Sequence, residues 1–227
     1  MQRTVVRSWA IVIAGLAAAT VPACASLNNK ERGAIIGAAT GAAAGAAVGN
    51  KNGGTARGAI IGAAVGGAAG AIIGHQMDQR AKEIQQTVAG ATVERVGEGL
   101  LVTFESGLLF DFDSDVLRSE ARTNLRNLAE SLQKSPNTNV MIVGHTDAQG
   151  SDSYNYGLSE RRAAAAASYL AEQGIARARL ITRGRGETEP VSSNETDTGR
   201  AQNRRVEVAL YANDAMRQQA LRQTSQR

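Results

Sequence analysis

The chain has 227 residues and a formal net charge of +4, a length that suits one or two domains. Removing Arg3 and Arg7, which belong to a leader-like start, leaves +4 minus two, or +2, a charge too small to indicate a nucleic-acid-binding protein. All three Phe and all four Tyr lie between Phe104 and Tyr211, so only the second half can build an ordinary aromatic-containing core.

Residues 1–23 have the pattern of an export signal. After a positively charged start, the apolar run at 10–19 is shorter than the ~20 residues that span a bilayer, but it suits a signal peptide. Cys24, the chain's only cysteine, follows a small residue and resembles the acylated cysteine of bacterial lipoproteins. This resemblance implies cleavage before Cys24, lipid on its thiol and amine, and a lipidated linker over 24–32. A plain secretory signal that leaves a free thiol is the alternative.

Two similar runs, GAIIGAATGAAAGAAVG and GAIIGAAVGGAAGAIIG, place ten glycines at four-residue steps between 33 and 74. Each glycine disfavours a helix by roughly 1 kcal/mol relative to alanine, so close backbone contact must offset that cost. We predict a glycine-zipper helical hairpin over 33–75, in which each run forms a helix. Its glycine faces would meet each other, copies in other chains, or lipid. A flexible Gly/Ala-rich spacer is the alternative.

Two further segments flank the predicted globular domain. Residues 76–90 (QMDQRAKEIQQTVAG) carry apolar side chains at helical spacing and predict an amphipathic connector that ends near Gly90. Residues 214–227 are polar and basic, and we expect a loosely ordered tail there.

From residue 91 to 213 the pattern changes to an α+β domain. Two short strands with a glycine turn come first, and a helix with one apolar stripe follows from Ser119 to about Gln133. A buried strand (NVMIVGH), an alanine-rich helix from Ser159 to Gln173 and two further strands complete the order β-β-α-β-α-β-β. We expect a mixed sheet with helices packed on one face.

Four blocks within this domain carry a resemblance. FDFDSDVL, VGHTDAQGSDSYNYGLSERRA, RGRGETEP and GRAQNRRVEV stand in the order and approximate spacing of the OmpA-like peptidoglycan-binding domain, over about Gly99 to Tyr211. With the leader and the glycine-rich runs, the whole chain resembles an OmpA-family outer-membrane lipoprotein with an N-terminal glycine zipper. It is also similar to the peptidoglycan-associated lipoproteins.

The resemblance implies binding of diaminopimelate in the peptidoglycan stem peptide, whose free end carries an ammonium and a carboxylate on one carbon. By match to the family, Asp147 takes the ammonium, and Arg162, expected in the first turn of its helix, takes the carboxylate. Four other residues match positions that line or adjoin the pocket: Asp113, Thr146, Asn155 and Arg204. Without the resemblance, Asp147 would be interpreted as a turn former and Arg162 as a solvated helix residue.

These patterns favour a tether without enzymatic activity, held on the periplasmic face of the outer membrane by lipid on Cys24. The sequence shows no nucleophile–base pair and no clustered metal ligands, and the acidic cluster around Asp113 lacks a second carboxylate across a cleft. We expect His145 to be packed at a strand end rather than to bind a metal, and no cofactor is implied. An oligomeric membrane or pore component built by the glycine zipper is the alternative function.

Overall fold

A computed structural model of the protein describes residues 54–226, and a five-stranded sheet lies at its centre. The strands are β1 (Ala91–Val96), β2 (Gly99–Glu105), β3 (Thr138–Gly144), β4 (Leu180–Gly184) and β5 (Arg205–Ala212). They lie in the order β1-β2-β5-β3-β4, with β3 and β4 parallel and the other pairs antiparallel. The predicted α+β class with a mixed sheet is confirmed.

The helices are α1 (Thr55–Gly62), α2 (Gly67–Thr87), α3 (Ser106–Leu109), α4 (Ser119–Gln133), α5 (Asp152–Glu172), α6 (Asp197–Asn203) and α7 (Asp214–Ser225). The bounds of α4 agree with the prediction. The start of α5 does not, since the helix begins seven residues before Ser159. Ser151 caps it by accepting a hydrogen bond from the Tyr154 amide, and Asp152 complements the helix dipole. Arg162 therefore lies about three turns into α5 and not in its first turn.

The main core lies between one face of the sheet and helices α2, α4, α5 and α7. The apolar stripe of α4 is fully buried there, with Leu125, Leu128 and Leu132 inaccessible to solvent. Helix α5 approaches the sheet unusually closely because two strand ends carry glycine. A Cβ on Gly144 would lie 2.2 Å from the Ser159 carbonyl oxygen, and one on Gly184 would lie 2.3 Å from a side-chain carbon of α5. This contact fixes the helix that carries Arg162.

The opposite face of the sheet is covered by α1. Ile60 is buried there and approaches Gly99 so closely that a Cβ on that glycine would lie 2.5 Å from it. The other members of this second core come from α1 and from the strands: Ala56, Ala59, Ala63, Val96, Leu101, Met141, Val143, Ala209 and Tyr211. Helices on one face are thus confirmed for α4 and α5, whereas a helix from the glycine-rich segment packs on the other face.

The second glycine run is not one continuous helix, which corrects the expected arm of a hairpin. Gly66 and Gly67 have φ values of 77° and 62°, so the chain turns between α1 and α2 and reaches both faces of the sheet. The carboxylate of Glu98 accepts hydrogen bonds from the amides of Val65 (2.8 Å) and Gly66 (2.6 Å) at this turn. The predicted connector is the continuation of α2, which runs without interruption to Thr87.

The glycine face of α2 contacts the domain's own β1–β2 hairpin. A Cβ on Gly70 would lie 2.0 Å from Glu98 Oε1, and one on Gly74 would lie 2.6 Å from Arg95 Nη2. The close approach predicted for the zipper therefore exists in this half, but the partner is a strand hairpin. Within residues 54–226, no helix has the length and apolarity needed to cross a membrane.

The C-terminal segment forms helix α7, so the expectation of a loosely ordered tail is wrong. Asn213 caps the helix by accepting a hydrogen bond from the Met216 amide at 3.0 Å, and Met216 and Ala220 are buried in the main core. The predictions for the signal peptide, the linker, Cys24 and the first glycine run lie outside the described residues.

Candidate functional site

A cleft of about 490 Å³ opens where the loop after β3, the first turns of α5 and the turn after α3 meet. All six residues proposed from the sequence line it: Asp113, Thr146, Asp147, Asn155, Arg162 and Arg204. Residues to which the sequence analysis assigned no role also line the cleft, including Phe110, Phe112, Gln149 and Tyr154. The size is that of an ordinary small-molecule site.

Asp147 lies three residues beyond the end of β3 and is 5% exposed. Arg204 Nη1 donates to its Oδ2 at 2.5 Å, and the amide of Gln149 donates to its Oδ1 at 3.1 Å. These two bonds fix the carboxylate, whose oxygens together can accept about four hydrogen bonds. Asp147 can therefore receive a cationic donor without first losing its present partners.

Arg162 is buried, with 4% exposure, and forms no ion pair with any carboxylate of the described residues. Its Nε donates to the Ser114 carbonyl at 2.8 Å, and its guanidinium lies 5.3 Å from the centre of the Phe110 ring. Burial lowers the pKa of this guanidinium, while the negative charge of Asp113 opposes that shift. Neither Nη atom has a hydrogen-bond partner in the part of the chain that the structure describes, so both can receive a carboxylate.

The neighbouring Arg161 points elsewhere and forms an exposed ion pair with Asp115 at 2.8 Å. Only one of the two adjacent arginines faces the cleft, as the helical geometry of about 100° per residue predicts. Arg161 therefore offers a matched control for experiments on Arg162.

Thr146 and Asn155 lie on the inner wall of the cleft. Thr146 is 5% exposed, and its hydroxyl has no hydrogen-bond partner within residues 54–226. The Asn155 side chain donates to the Asp147 carbonyl at 3.3 Å and to Glu187 Oε2 at 2.6 Å, which links α5 to the loop after β4. Asn155 thus positions the Asp147 loop, while the Thr146 hydroxyl is buried within the wall.

Asp113 has a φ of 57°, and it is the one non-glycine residue with positive φ in the described range. Such strain is characteristic of functional sites. The Tyr154 hydroxyl donates a hydrogen bond to Asp113 Oδ1, and this bond raises the pKa of Tyr154. Only a weak signal in the sequence pointed to Tyr154, as one of two tyrosines beside Asn155.

His145 lies outside the cleft lining and is 1% exposed, as expected for a packed residue at a strand end. Its Nε2 is 3.5 Å from Glu207 Oε2. Burial by itself would raise the pKa of Glu207, but His145 and Arg205 lower it to about 2. Among the residues that the structure describes, no cluster of three or more His, Cys, Asp or Glu is arranged to hold a metal ion.

Comparisons with known proteins agree with this architecture. A model described as the OmpA family matches residues 109–204, and a YMGG-like Gly-zipper model matches residues 1–78. Outer membrane porin F of Pseudomonas fluorescens is 42% identical over 112 residues, which are 49% of this chain and 34% of the porin. The chain spans about half or less of the length of several curated relatives that it matches.

Two further relatives are covered more completely. The peptidoglycan-associated lipoprotein of Brucella melitensis is 35% identical over 122 residues, which are 54% of this chain and 73% of that protein. The solved cell wall anchor of the T6SS from Pseudomonas aeruginosa is 32% identical with a TM-score of 0.51, over 62% of this chain and 97% of that chain. With most of the Brucella relative covered at this identity, and the OmpA model matched across the cleft, the chain belongs to the OmpA family.

Proposed function

We propose that this protein binds peptidoglycan without cleaving it and tethers the outer membrane to the cell wall. The observation that carries the proposal is Arg162, a buried cation whose two Nη atoms are free in the same cleft as the Asp147 carboxylate. A buried charge with two unpaired donor groups is costly, and a ligand carboxylate would compensate it. Two relatives, a peptidoglycan-associated lipoprotein and a cell wall anchor, support this function.

The ligand of the cleft is the free end of diaminopimelate in the stem peptide. Its carboxylate fits the guanidinium fork of Arg162. Its ammonium fits the Asp147 carboxylate, next to the ion pair that this carboxylate forms with the partly exposed Arg204. Thr146 lies in the wall beside Asp147. Charge-assisted hydrogen bonds of this kind contribute about 1.5–3 kcal/mol each.

Binding is tested by retention on purified peptidoglycan sacculi. The mature chain with Cys24→Ala keeps α1, α2 and α7, all of which pack on the sheet or its core and belong in the tested protein. We expect retention of this protein and its loss in Asp147→Ala and Arg162→Ala, with Arg161→Ala retained as the matched control. Equal retention of all four proteins would reject the site.

The same sacculi distinguish a binder from a hydrolase. Three carboxylates line the cleft, and two of them are held by other side chains, Asp113 by the Tyr154 hydroxyl and Asp147 by Arg204. The Ser106 and Thr146 hydroxyls of the lining are hydrogen-bonded to no base among the described residues. We expect no soluble muropeptides to be released during incubation, and release that depends on Asp147 would contradict the tether.

Attachment to the outer membrane is proposed to use lipid on Cys24. Acyl chains contribute about 0.8 kcal/mol per buried methylene group, so several chains anchor a protein stably. We expect radiolabelled fatty acid in the wild-type protein and none in Cys24→Ala, and label that persists in the variant would refute the anchor. The alternative function, oligomerisation through the glycine zipper, would have to use the first glycine run. In the second run, Gly70 and Gly74 already contact side chains of the β1–β2 hairpin.

A further inference from the structure

Phe112 is the most exposed large apolar residue among those described, with 94% of its surface accessible. It lies at the tip of a tight turn that the Ser114 amide closes onto the Asp111 carbonyl at 3.2 Å. Asp, Asn, Gly and Ser normally occupy such tips, because they suit the turn geometry and water. A phenylalanine at this position departs from the preference for small polar residues at turn tips, and such departures concentrate at functional sites.

The turn is held in a defined position at the mouth of the cleft. Phe110, two residues earlier, is buried beneath the Arg162 guanidinium, so the two phenylalanines lie one inside and one outside the same wall. Asp113, the residue after Phe112, accepts the hydrogen bond of the Tyr154 hydroxyl. The Phe112 ring is therefore presented by an anchored turn with a strained φ at Asp113.

Tyr154 supplies a second aromatic surface on the same border. Tyr154 is 43% exposed. Its ring packs against the loop before α5, because a Cβ on Gly150 would lie 3.5 Å from the ring. Both its hydroxyl and its ring edge are thus engaged, while much of the ring remains accessible. Phe112 and Tyr154 line the same cleft as Asp147 and Arg162, and we call these two residues the aromatic rim.

The cleft therefore has two chemically different parts. The inner part, with Arg162 and Asp147, suits a zwitterion, whereas the aromatic rim suits a group with an apolar face and polar edges. A pyranose ring has this character, because its axial C–H groups form an apolar face and its hydroxyls lie around the edge. In peptidoglycan, the stem peptide whose free end fits the inner part is covalently joined to such rings.

We propose that the aromatic rim is a carbohydrate subsite that stacks against an N-acetylated hexosamine ring of the glycan strand. This inference rests on the proposed function, because the inner cleft must hold the stem peptide for the glycan to reach the rim. Phe112 provides the open face, and Tyr154, fixed by Asp113, provides a preorganised second surface. Preorganised rings lose little conformational freedom on binding, which favours affinity.

The test compares two soluble ligands with the mature chain carrying Cys24→Ala, by calorimetry. One ligand is a disaccharide–stem peptide containing diaminopimelate, and the other is the same stem peptide without the disaccharide. We expect Phe112→Ala to bind the disaccharide ligand about tenfold more weakly, as the loss of one covered aromatic face implies, and to bind the free peptide unchanged. Phe112→Trp should retain the affinity, and Val191→Ala, at an exposed apolar residue outside the cleft lining, should have no effect.

Each other outcome has a definite meaning. Equal binding of both ligands by the wild type, with no effect of Phe112→Ala, overturns the carbohydrate subsite and leaves the proposed function intact. Equal weakening of both ligands by Phe112→Ala also overturns it, because the ring would then act on the inner cleft. A wild-type protein that binds neither ligand refutes the proposed function itself. A concentration-dependent dimer that Phe112→Ala abolishes would assign the ring to a contact between copies instead.

Discussion

Replacing either of two arginines by methionine should separate binding from stability. Arg162 has one hydrogen bond from its Nε and two unpaired Nη atoms in the cleft. Arg179 lies at the opposite end of β3 and donates to the carbonyls of Leu132, Ser135 and Thr138 at 2.8–3.1 Å, and also to the Thr138 hydroxyl. The first arginine is free to receive a ligand, and the second ties the end of α4 to the start of β3.

The two substitutions should have opposite consequences. Arg162→Met removes a buried charge that forms no ion pair within residues 54–226 and that Asp113 compensates only in part. This gain offsets the lost bond to Ser114, so the free energy of unfolding should change by less than about 1 kcal/mol or increase. Its affinity for a diaminopimelate muropeptide should fall at least about a hundredfold, since two charge-assisted bonds are lost. Arg179→Met removes four hydrogen bonds that join the end of α4 to the start of β3, and it should lower the free energy of unfolding by about 2–4 kcal/mol with unchanged affinity.

Urea denaturation and muropeptide titration of the same preparations measure both quantities. If Arg162→Met loses more than about 2 kcal/mol of stability while its folded fraction still binds normally, Arg162 is a structural residue and not the ligand's binding partner. A loss of affinity in Arg179→Met at full folding would show that the two ends of β3 are coupled, contrary to the contacts described.

Three further predictions concern the scaffold. The pKa of Glu207 is lowered to about 2 from its ordinary 4.5. Its stabilising contribution, about 3 kcal/mol, is therefore present above pH 4.5 and is lost as the pH falls towards 2. Glu207→Gln should flatten the acid side of the stability profile in thermal melts, and an unchanged profile would show that Glu207 does not cause the acid sensitivity. Ile60→Ala should weaken the docking of α1 by about 2–4 kcal/mol, seen as faster amide exchange in α1 while the strands stay protected; uniform acceleration would show instead that α1 unfolds only with the domain. Gly144→Ala should lower the free energy of unfolding by at least about 1–3 kcal/mol, because its Cβ would lie 2.2 Å from the Ser159 carbonyl; a neutral substitution would show that α5 can shift.

The periodic elements of this protein were predictable because each has one dominant cause. The leucine stripe of α4 arises from burial of one helix face, and β5 is buried along its whole length because both faces of the sheet are covered. Both elements appear where the sequence places them. The start of α5 was not predictable in the same way, because it depends on the Ser151 cap and not on apolar spacing. The expected position of Arg162 within its helix was wrong for that reason.

The glycine-rich segment was interpreted from its period alone, and that period does not identify the contacting surface. A glycine face permits close approach, yet only the folded chain shows that Glu98 and Arg95 occupy it in α2. The six cleft residues came from the family resemblance and lie together as it implies. No role was predicted for Phe112 or Tyr154, because the exposure of an aromatic ring cannot be obtained from its sequence neighbours.

The docking of α1 limits how far the domain can lie from the membrane. Thr55 is fixed to Glu189 through its amide and its hydroxyl, so any free tether from a lipidated Cys24 ends at Gly54. These 30 residues can span at most about 100 Å, since a fully extended chain advances ~3.3–3.6 Å per residue. If the tether instead ran free to Ala91, the limit would more than double. With the lipid proposed for Cys24, the second glycine run, packed on the domain, sets the longest free tether between the membrane and the domain.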